Sequence, residues 1–236
     1  MYTEKFLTWK QVLKQVKYAL DYRKPFSLVR IGDGENICLA QNSVWPIRDV
    51  LKEPWTKKAN RGEKGVHLPN IRLRNELVQG IRNANVVGVL LLNDNRIHAP
   101  KRLKRILTNK IFTHFNLSPR YTCDACINRY IPKYKAFWDV LKNRRVLLIS
   151  QHANEMKQVL VNKYGLNVTG TIFFSDYRQI NRVLKEVDML KNKFDLVLIS
   201  AGVNAVILAP KIARRTGKVA IDFGQGHKNF MKSRTV

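Results

Sequence analysis

The sequence contains little cysteine and no long apolar segment. Its three cysteines are Cys38, Cys123 and Cys126, an odd and sparse set that argues against a disulfide framework. No run of about 18 apolar residues occurs, so no transmembrane helix is expected. The first five residues lack the apolar stretch of a signal peptide, and we therefore expect a cytoplasmic protein.

Acidic residues are also scarce. The 236 residues include 17 Asp and Glu against 43 Lys and Arg, a formal net charge of +26. Such an excess of positive charge indicates an anionic partner. The alternatives are nucleic acid, an acidic membrane surface and a phosphorylated substrate. The basic residues are scattered along the chain, with the densest cluster at 101–105. We expect peripheral contact with the anionic inner face of the membrane, where each Lys or Arg contributes about 1 kcal/mol.

Short apolar runs alternate with amphipathic helical patterns along the chain. The unbroken run Val86–Leu92 is typical of a strand buried on both faces of a sheet. Thr8–Arg23 has apolar residues at helical spacing with lysines on the opposite side. This alternation predicts an α/β fold with a mostly parallel sheet and helices on both faces. Because no linker or repeat is visible, we predict a single domain over residues 1–236.

Two stretches do not fit the alternation, and we predict irregular structure for both. Residues 43–69 are rich in Pro, Gly and Trp, with at most one helical turn, and such a loop is often a lid or binding loop. Its tryptophans either stack on a sugar ring or fasten the loop to the core. Residues 118–131 hold Cys123 and Cys126; without a second cysteine pair, we do not expect zinc here.

The most informative stretch is the turn after the apolar run Phe26–Ile31. The run ends at Gly32-Asp33-Gly34, and a helical pattern begins at Glu35. A strand, a glycine turn and a helix commonly form the entrance of a phosphate-binding site. Asp33 and Glu35 can converge on a hard cation such as Mg²⁺ or Mn²⁺. The alternative is that Asp33 caps the helix and Glu35 interacts with its dipole.

Other polar residues follow the predicted strands, and ligands of such sheets bind outside the carboxyl ends of the strands. The turn at Gly202 and Asn204 offers backbone N–H groups to a diphosphate. Arg30 and Arg129 are suited to holding phosphates, although a salt bridge from Arg30 to Asp33 is the alternative for Arg30. The remaining candidates at strand ends are Asp94, Ser150, His152, Asp176, Asp222 and His227, of which Asp94, His152 and Asp176 are candidate bases by position.

The run 30–35, Arg-Ile-Gly-Asp-Gly-Glu, resembles the Arg-x-Gly-Asp-Gly-Glu signature of the GT-D-type bacterial glycosyltransferases. The similarity continues through Asn128-Arg129-Tyr130 and through the runs 198–202 and 220–224. It spans about residues 10 to 230. The family's last segment tends to read Asp-x-Gly-His, whereas two residues separate Gly224 from His227 here.

The resemblance implies a Rossmann-like domain and a hexosyltransferase that uses a nucleotide-sugar donor such as a UDP-sugar. It also implies a divalent metal, Mn²⁺ or Mg²⁺, held through Asp33 and Glu35, and a glycan, glycoprotein or cell-surface polymer as acceptor. We predict that Asp33, Glu35 and Arg129 are catalytic. The predicted donor or phosphate ligands are Arg30, Gly32, Gly34, Gly202, Asn204, Asp222 and His227.

Two other classes of protein remain as alternatives. An S-adenosylmethionine-dependent methyltransferase also uses a glycine turn after its first strand, but usually has more glycines there and an acidic residue at the end of the second strand. A basic nucleic-acid-binding protein accounts for the charge. It does not account for two carboxylates at the ligand-binding edge, so nucleic acid is the less favoured partner.

Overall fold

The structure is a computed structural model that describes residues 5–224 of the chain. Within this part, short runs rich in Val, Leu and Ile form eight strands whose side chains are mostly buried on both faces, as is usual in a parallel sheet. The strands are β1 (Lys5–Leu7), β2 (Phe26–Ile31), β3 (Val86–Val89), β4 (Tyr121–Asp124), β5 (Arg145–Ser150), β6 (Asn167–Ile172), β7 (Leu196–Ser200) and β8 (Val219–Asp222).

The strands form one sheet in the order β1-β4-β3-β2-β8-β7-β5-β6, and every neighbouring pair is parallel. The predicted α/β, Rossmann-like fold is therefore confirmed, and the sheet that we expected to be mostly parallel is parallel throughout the described residues. The chain leaves β5 toward the edge strand β6 but leaves β7 in the opposite direction, toward β8. The loops after these two adjacent strands diverge, and such divergence opens a crevice at the carboxyl edge of a sheet.

Helices cover both faces of the sheet because alternate strand residues point to opposite sides. Val29 and Ile31 join one core with α2, α5, α6, α10 and α11, whereas Phe26 and Leu28 join a second core with α1, α8 and α9. The helices are α1 (Trp9–Asp21), α2 (Asp33–Ala40), α3 (Ile47–Lys52), α4 (Pro54–Asn60), α5 (Ile71–Asn83), α6 (Arg105–His114), α7 (Ile127–Tyr130), α8 (Lys135–Leu141), α9 (Ala153–Tyr164), α10 (Ile180–Met189) and α11 (Ala205–Thr216).

The two stretches predicted to be irregular contain regular elements. Residues 118–131 hold β4 and α7, and residues 43–69 hold α3 and α4. β4 has only four residues, Tyr-Thr-Cys-Asp, too few for a strand pattern to be visible, and it is stabilised by pairing with β1 and β3 on its two sides. The strand predicted over Val86–Leu92 ends earlier, at Val89. No helix between residues 5 and 224 combines the length and apolarity needed to cross a bilayer.

Candidate active site

A cavity of about 390 Å³ lies at the carboxyl edge of the sheet, next to the ends of β2, β5 and β7. It falls at the crevice where the loops after β5 and β7 diverge, as ligand sites of such sheets do. Most of the predicted site residues meet here, although they are separated by up to 172 positions in the sequence (202 − 30). The predicted residues that line it are Arg30, Gly32, Asp33, Gly34, Glu35, Arg129, His152 and Gly202.

The carboxylate pair lies at the start of α2. Gly32 is the N-cap residue of this helix, so Asp33 is not the cap that the alternative interpretation proposed. Glu35 does interact with the helix end, because the Gly32 N–H donates to its Oε2 over 2.8 Å. That bond holds the Glu35 side chain at the turn, beside Asp33, where both carboxylates line the cavity.

The surroundings of Glu35 disfavour its negative charge. The pKa of Glu35 is raised from 4.5 to about 7, first by burial and then by the nearby carboxylates of Asp222 and Asp33, against the opposing effect of Arg30. A buried carboxylate next to two others is stabilised by a bound cation, which removes the repulsion among them. The electrostatics around Glu35, at the start of α2, therefore favour a bound cation.

The donor set fits Mg²⁺ or Mn²⁺. Among residues 5–224, no cluster of three or more His, Cys, Asp or Glu side chains could hold a metal, so Asp33 and Glu35 would act as a pair. Mg²⁺ commonly uses one or two protein carboxylates and completes its shell with water and substrate phosphates. The metal role of Asp33 and Glu35 stays a prediction that this geometry allows.

The cysteines of the C-x-x-C motif are buried beside the cavity and not in it. Burial raises the pKa of Cys123 to about 12 and that of Cys126 to about 11, with Asp124 adding to both effects. Because a thiolate is the form that binds metal or attacks a disulfide, these thiols are poorly suited to either task.

Arg30 connects three elements beneath the cavity. Its Nη2 donates to Asp222 Oδ1 over 2.9 Å, its Nε to the Asp222 carbonyl over 3.1 Å, and its Nη1 to Asn128 Oδ1 over 2.9 Å. The side chain of Asn128 in turn donates to the Phe223 carbonyl over 2.9 Å. The ion-pair partner of Arg30 is thus Asp222, and not Asp33 as the alternative suggested.

Asp222 lies behind Arg30, only 1% exposed, and contacts the guanidinium and not the cavity. Gly224 packs directly on this pair with a φ of +47°, and a Cβ there would lie 1.9 Å from Arg30 Nη2. The structure gives Arg30 and Asp222 the task of holding β2, β8 and α7 together. Their predicted contact with phosphate is not part of this arrangement and stays a prediction.

A short segment, the strap (residues 61–66), crosses one side of the cavity. The Gly65 carbonyl accepts hydrogen bonds from the Asn204 side chain over 3.0 Å and from the Tyr177 backbone N–H over 2.8 Å. Gly65 has a φ of +66°, and a Cβ there would lie 2.5 Å from the Ser175 carbonyl oxygen. Asn204 is fully buried and outside the cavity lining, so it fastens the strap and does not face a diphosphate directly.

Trp55 joins the strap region to the carboxylate turn. It lines the cavity and packs against the core, and a Cβ on Gly34 would lie 2.7 Å from its ring. Only glycine fits at position 34 while the indole occupies this place. Trp55 is therefore fastened to the core and also faces the cavity, and its stacking on a sugar ring stays a prediction.

The three candidate bases are placed differently. His152 lines the cavity. Asp94 is bound by Lys104 over 3.2 Å, and Asp176 by Arg178 over 2.7 Å, and neither lines the cavity. Of these three candidates only His152 lines the cavity, and its role as a base stays a prediction. His227 lies outside the described residues.

Ser150, a candidate from its place at a strand end, also lines the cavity, together with residues for which the sequence predicted no role. Ser150 and Ser200 are register partners at the ends of β5 and β7, and the Ser200 hydroxyl is buried without a hydrogen-bond partner among the described residues. Asn128, Glu63 and Lys64 also line the cavity. Asn128 and Ser200 belong to runs that carry the family resemblance, whereas nothing in the sequence context of Glu63 or Lys64 separates them from ordinary loop residues.

Replacing Asn204 by Ala is expected to loosen the strap, because it removes one of the two hydrogen bonds to the Gly65 carbonyl. The lost bond corresponds to about 1 kcal/mol, or several-fold in the population of the open strap. Limited digestion with trypsin should cut faster after Arg61 and Lys64 than in the parent protein. A matched Asn83→Ala variant, altered at the exposed end of α5, should be cut at the parent rate, and equal rates in all three proteins would contradict this role.

Comparison with known proteins agrees with this geometry. The family model described as a GT-D fold-like domain matches residues 7–230. A solved structure described as "Selenomethionine substituted structure of domain of unknown function 1792 (DUF1792)" superposes with a TM-score of 0.65 at 15% sequence identity, covering 96% of this chain and 80% of that one. No curated protein sequence matches significantly. The match over nearly the whole chain places this protein in the GT-D-like domain family.

Proposed function

We propose that this protein is a divalent-metal-dependent glycosyltransferase that moves a sugar, a hexose, from a nucleotide-diphosphate donor to a glycan, glycoprotein or cell-surface polymer. A UDP-sugar is the proposed donor. The observation that carries the proposal is the pair Asp33 and Glu35 at the end of β2, facing a cavity of about 390 Å³. That volume lies in the range of small-molecule sites, and membership of the GT-D-like family supports the reaction class.

The residues around the cavity have distinct proposed tasks. Asp33 and Glu35 would hold the metal, whose charge would offset the negative charge on a departing nucleotide diphosphate. Gly202, with a φ of +56°, begins the turn before α11 and presents backbone N–H groups at a helix start. Arg129 lines the cavity with Nη1 anchored on the Arg96 carbonyl over 2.8 Å, which orients its guanidinium. Trp55 supplies an apolar wall suited to a sugar ring.

His152 is the proposed group that accepts the proton of the acceptor hydroxyl. It lies at the start of α9, and its backbone N–H donates to Ser150 Oγ over 3.1 Å. It reaches the cavity from the β5 side, whereas Asp33 and Glu35 belong to the β2 side. The donor's metal-bound diphosphate and the acceptor hydroxyl would thus be held by different strands.

The methyltransferase alternative is less well supported by the structure. A methyltransferase of that class would have an acidic residue at the end of the strand after the glycine turn, where it binds the ribose of the cofactor. Here that strand is β3, which ends at Val89 and is followed by the buried Leu90. The nearest acid along the chain, Asp94, is held by Lys104 and Arg96.

The net charge of +26 supports the proposal that the enzyme works beside an anionic surface. The inner face of the membrane is such a surface, and a polymer acceptor linked to lipid would be presented there. A nucleic-acid partner is less favoured because the cavity edge carries carboxylates, which repel phosphate unless a metal lies between them.

A donor screen that measures nucleotide release tests the proposal directly. With Mn²⁺ present, slow hydrolysis of one nucleotide sugar should release nucleoside diphosphate, because water replaces the missing acceptor. Chelation of the metal should remove the release, and addition of Mn²⁺ should restore it. Release that is unaffected by chelation, or methyl transfer from S-adenosylmethionine under the same conditions, would contradict the proposal.

A further inference from the structure

A second cavity, of about 240 Å³, opens at the amino edge of the sheet. It lies between the end of α1, the start of β5 and the residues that precede β7 and β8. The active-site cavity is at the opposite ends of the same strands, about 20 Å away by the rise of a six-residue strand. We call the second cavity the amino-edge cavity; its charged lining residues are Arg23, Lys24, Arg144, Arg145, Asp195 and Lys218.

The charges at the amino-edge cavity do not cancel. Arg145 is paired with Asp195 over 2.7 Å, and Arg144 with Asp21. Within residues 5–224, no carboxylate oxygen lies within ion-pair distance of Arg23, Lys24 or Lys218, which leaves an excess of three positive charges. The ends of α1 and α11 also lie here, and two helix C-termini offset about one charge. About two positive charges remain.

Arg23 has a backbone conformation that is unfavourable for arginine. Arg23 follows the end of α1 with a φ of +52°, and the Lys24 N–H donates to the Ala19 carbonyl over 2.8 Å. In this type of helix ending, Gly or Asn adopts the left-handed conformation at least cost. An arginine at this position carries a backbone cost that no ion pair within residues 5–224 offsets, and Arg23 lines the amino-edge cavity.

We propose that the amino-edge cavity binds a phosphate monoester group. Such a group carries about −1.5 to −2 charges at pH 7 and several strong acceptor oxygens, which matches the residual charge of about +2 from the helix-dipole estimate. Arg23 and Lys218 approach the cavity from two different segments and bind the phosphate together, with Lys24 beside them. This proposal does not depend on the transferase activity, because no residue of the active-site cavity takes part.

Titration with inorganic phosphate, followed by the amide signals of the full chain in NMR spectra, tests the proposal. The experiment contains a chelator and constant ionic strength, so that phosphate does not bind through a metal at Asp33 and Glu35. The amides of Lys24, Gly217 and Lys218 should shift in a saturable way, and those of Gly32 and Gly202 should not. Shifts confined to the active-site cavity, or no saturable shift, would overturn the proposal.

The double variant Arg23→Asn with Lys218→Gln should weaken phosphate binding by at least about tenfold. Asn suits the left-handed position of residue 23, so the variant should unfold at or above the parent temperature. The matched control, Lys14→Gln with Lys157→Gln, removes the same charge from exposed helix positions and should change binding less than about twofold. Equal weakening in the two double variants would show general charge attraction only and would overturn the site.

Vesicles distinguish a lipid source of the phosphate from a soluble one. Phosphatidic acid carries a phosphate monoester, whereas phosphatidylserine carries a diester and less negative charge per lipid, so the two kinds of vesicle are prepared with lipid fractions that give equal surface charge. If the monoester belongs to a lipid, the protein should sediment with phosphatidic acid vesicles more than with phosphatidylserine vesicles, and the Arg23→Asn, Lys218→Gln variant should lose the difference. Saturable binding of free phosphate without any such difference would identify a soluble phosphorylated ligand.

Discussion

Glu35→Gln is expected to lower the rate of sugar transfer by on the order of 100-fold or more. Gln keeps the shape of Glu and still accepts the hydrogen bond from the Gly32 N–H, but it lacks the charge that a hard cation requires. The thermal stabilisation by Mn²⁺ plus nucleoside diphosphate, which follows from mass action, should largely disappear. Glu186→Gln, at a half-buried position of α10 where Glu186 pairs with Arg182 outside the cavity, is the matched control and should keep the parent activity and the parent response to Mn²⁺.

The free energy of unfolding of the metal-free protein distinguishes two roles of Glu35, a metal ligand and an acid that only stabilises the start of α2. The folded-state pKa of Glu35 is raised from 4.5 to about 7, first by burial. Because its folded-state pKa is raised, Glu35 contributes fully to the free energy of unfolding below pH 4.5. This contribution is lost as the pH rises through about 7. Without metal at pH 8, Glu35→Gln should therefore be more stable than the parent, by on the order of 1 kcal/mol after allowance for partial exposure.

Urea unfolding at pH 5 and pH 8 measures this difference. The stability gain of Glu35→Gln should appear at pH 8 and should be much smaller at pH 5. Asp33→Asn should share the loss of activity and of metal-dependent stabilisation. If Glu35→Gln turns over at the parent rate and still responds to Mn²⁺ with nucleotide, Glu35 is not a metal ligand.

The sequence predicted the strands and helices that carry the site because their signals are local. The run Phe26–Ile31 followed by Gly32-Asp33-Gly34 contains a buried strand, a glycine turn and a helix start within nine residues (34 − 26 + 1). The order of the β-α alternation then fixed the edge of the sheet at which ligands bind. By contrast, β4 is a strand only because β1 and β3 pair with it, and β1 lies more than a hundred residues away in sequence.

The partners of individual side chains were the least predictable feature. Arg30 was expected near phosphate or Asp33, and it pairs with Asp222, which is 192 positions away. Asn204 was expected to face a diphosphate, and it holds the strap through Gly65. These contacts depend on how distant segments meet in three dimensions. A sequence pattern identifies that a polar residue is at a strand end, but it does not identify which of several neighbouring charges the residue contacts.

Arg30→Met should be strongly destabilising, by about 3–5 kcal/mol, because it leaves the buried carboxylate of Asp222 without its cation. Burial already raises the pKa of Asp222 above 3.8 in the presence of Arg30, and removal of the guanidinium should raise this pKa further. A group with a raised folded-state pKa stabilises the protein less as the pH rises. The loss of unfolding free energy in Arg30→Met, relative to the parent, should therefore be larger at pH 8 than at pH 5.

The double variant Arg30→Met, Asp222→Asn distinguishes a missing ion pair from a packing defect. Asn carries no charge, so the double variant should recover part of the stability that Arg30→Met loses, and its remaining deficit should depend on pH much less, because the opposing effects of Arg30 and Asp222 on the pKa of Glu35 are removed together. Urea unfolding of the parent, both single variants and the double variant at the two pH values gives the coupling energy between residues 30 and 222. A double variant no more stable than Arg30→Met, with the same deficit at both pH values, would show that the pair contributes through shape alone.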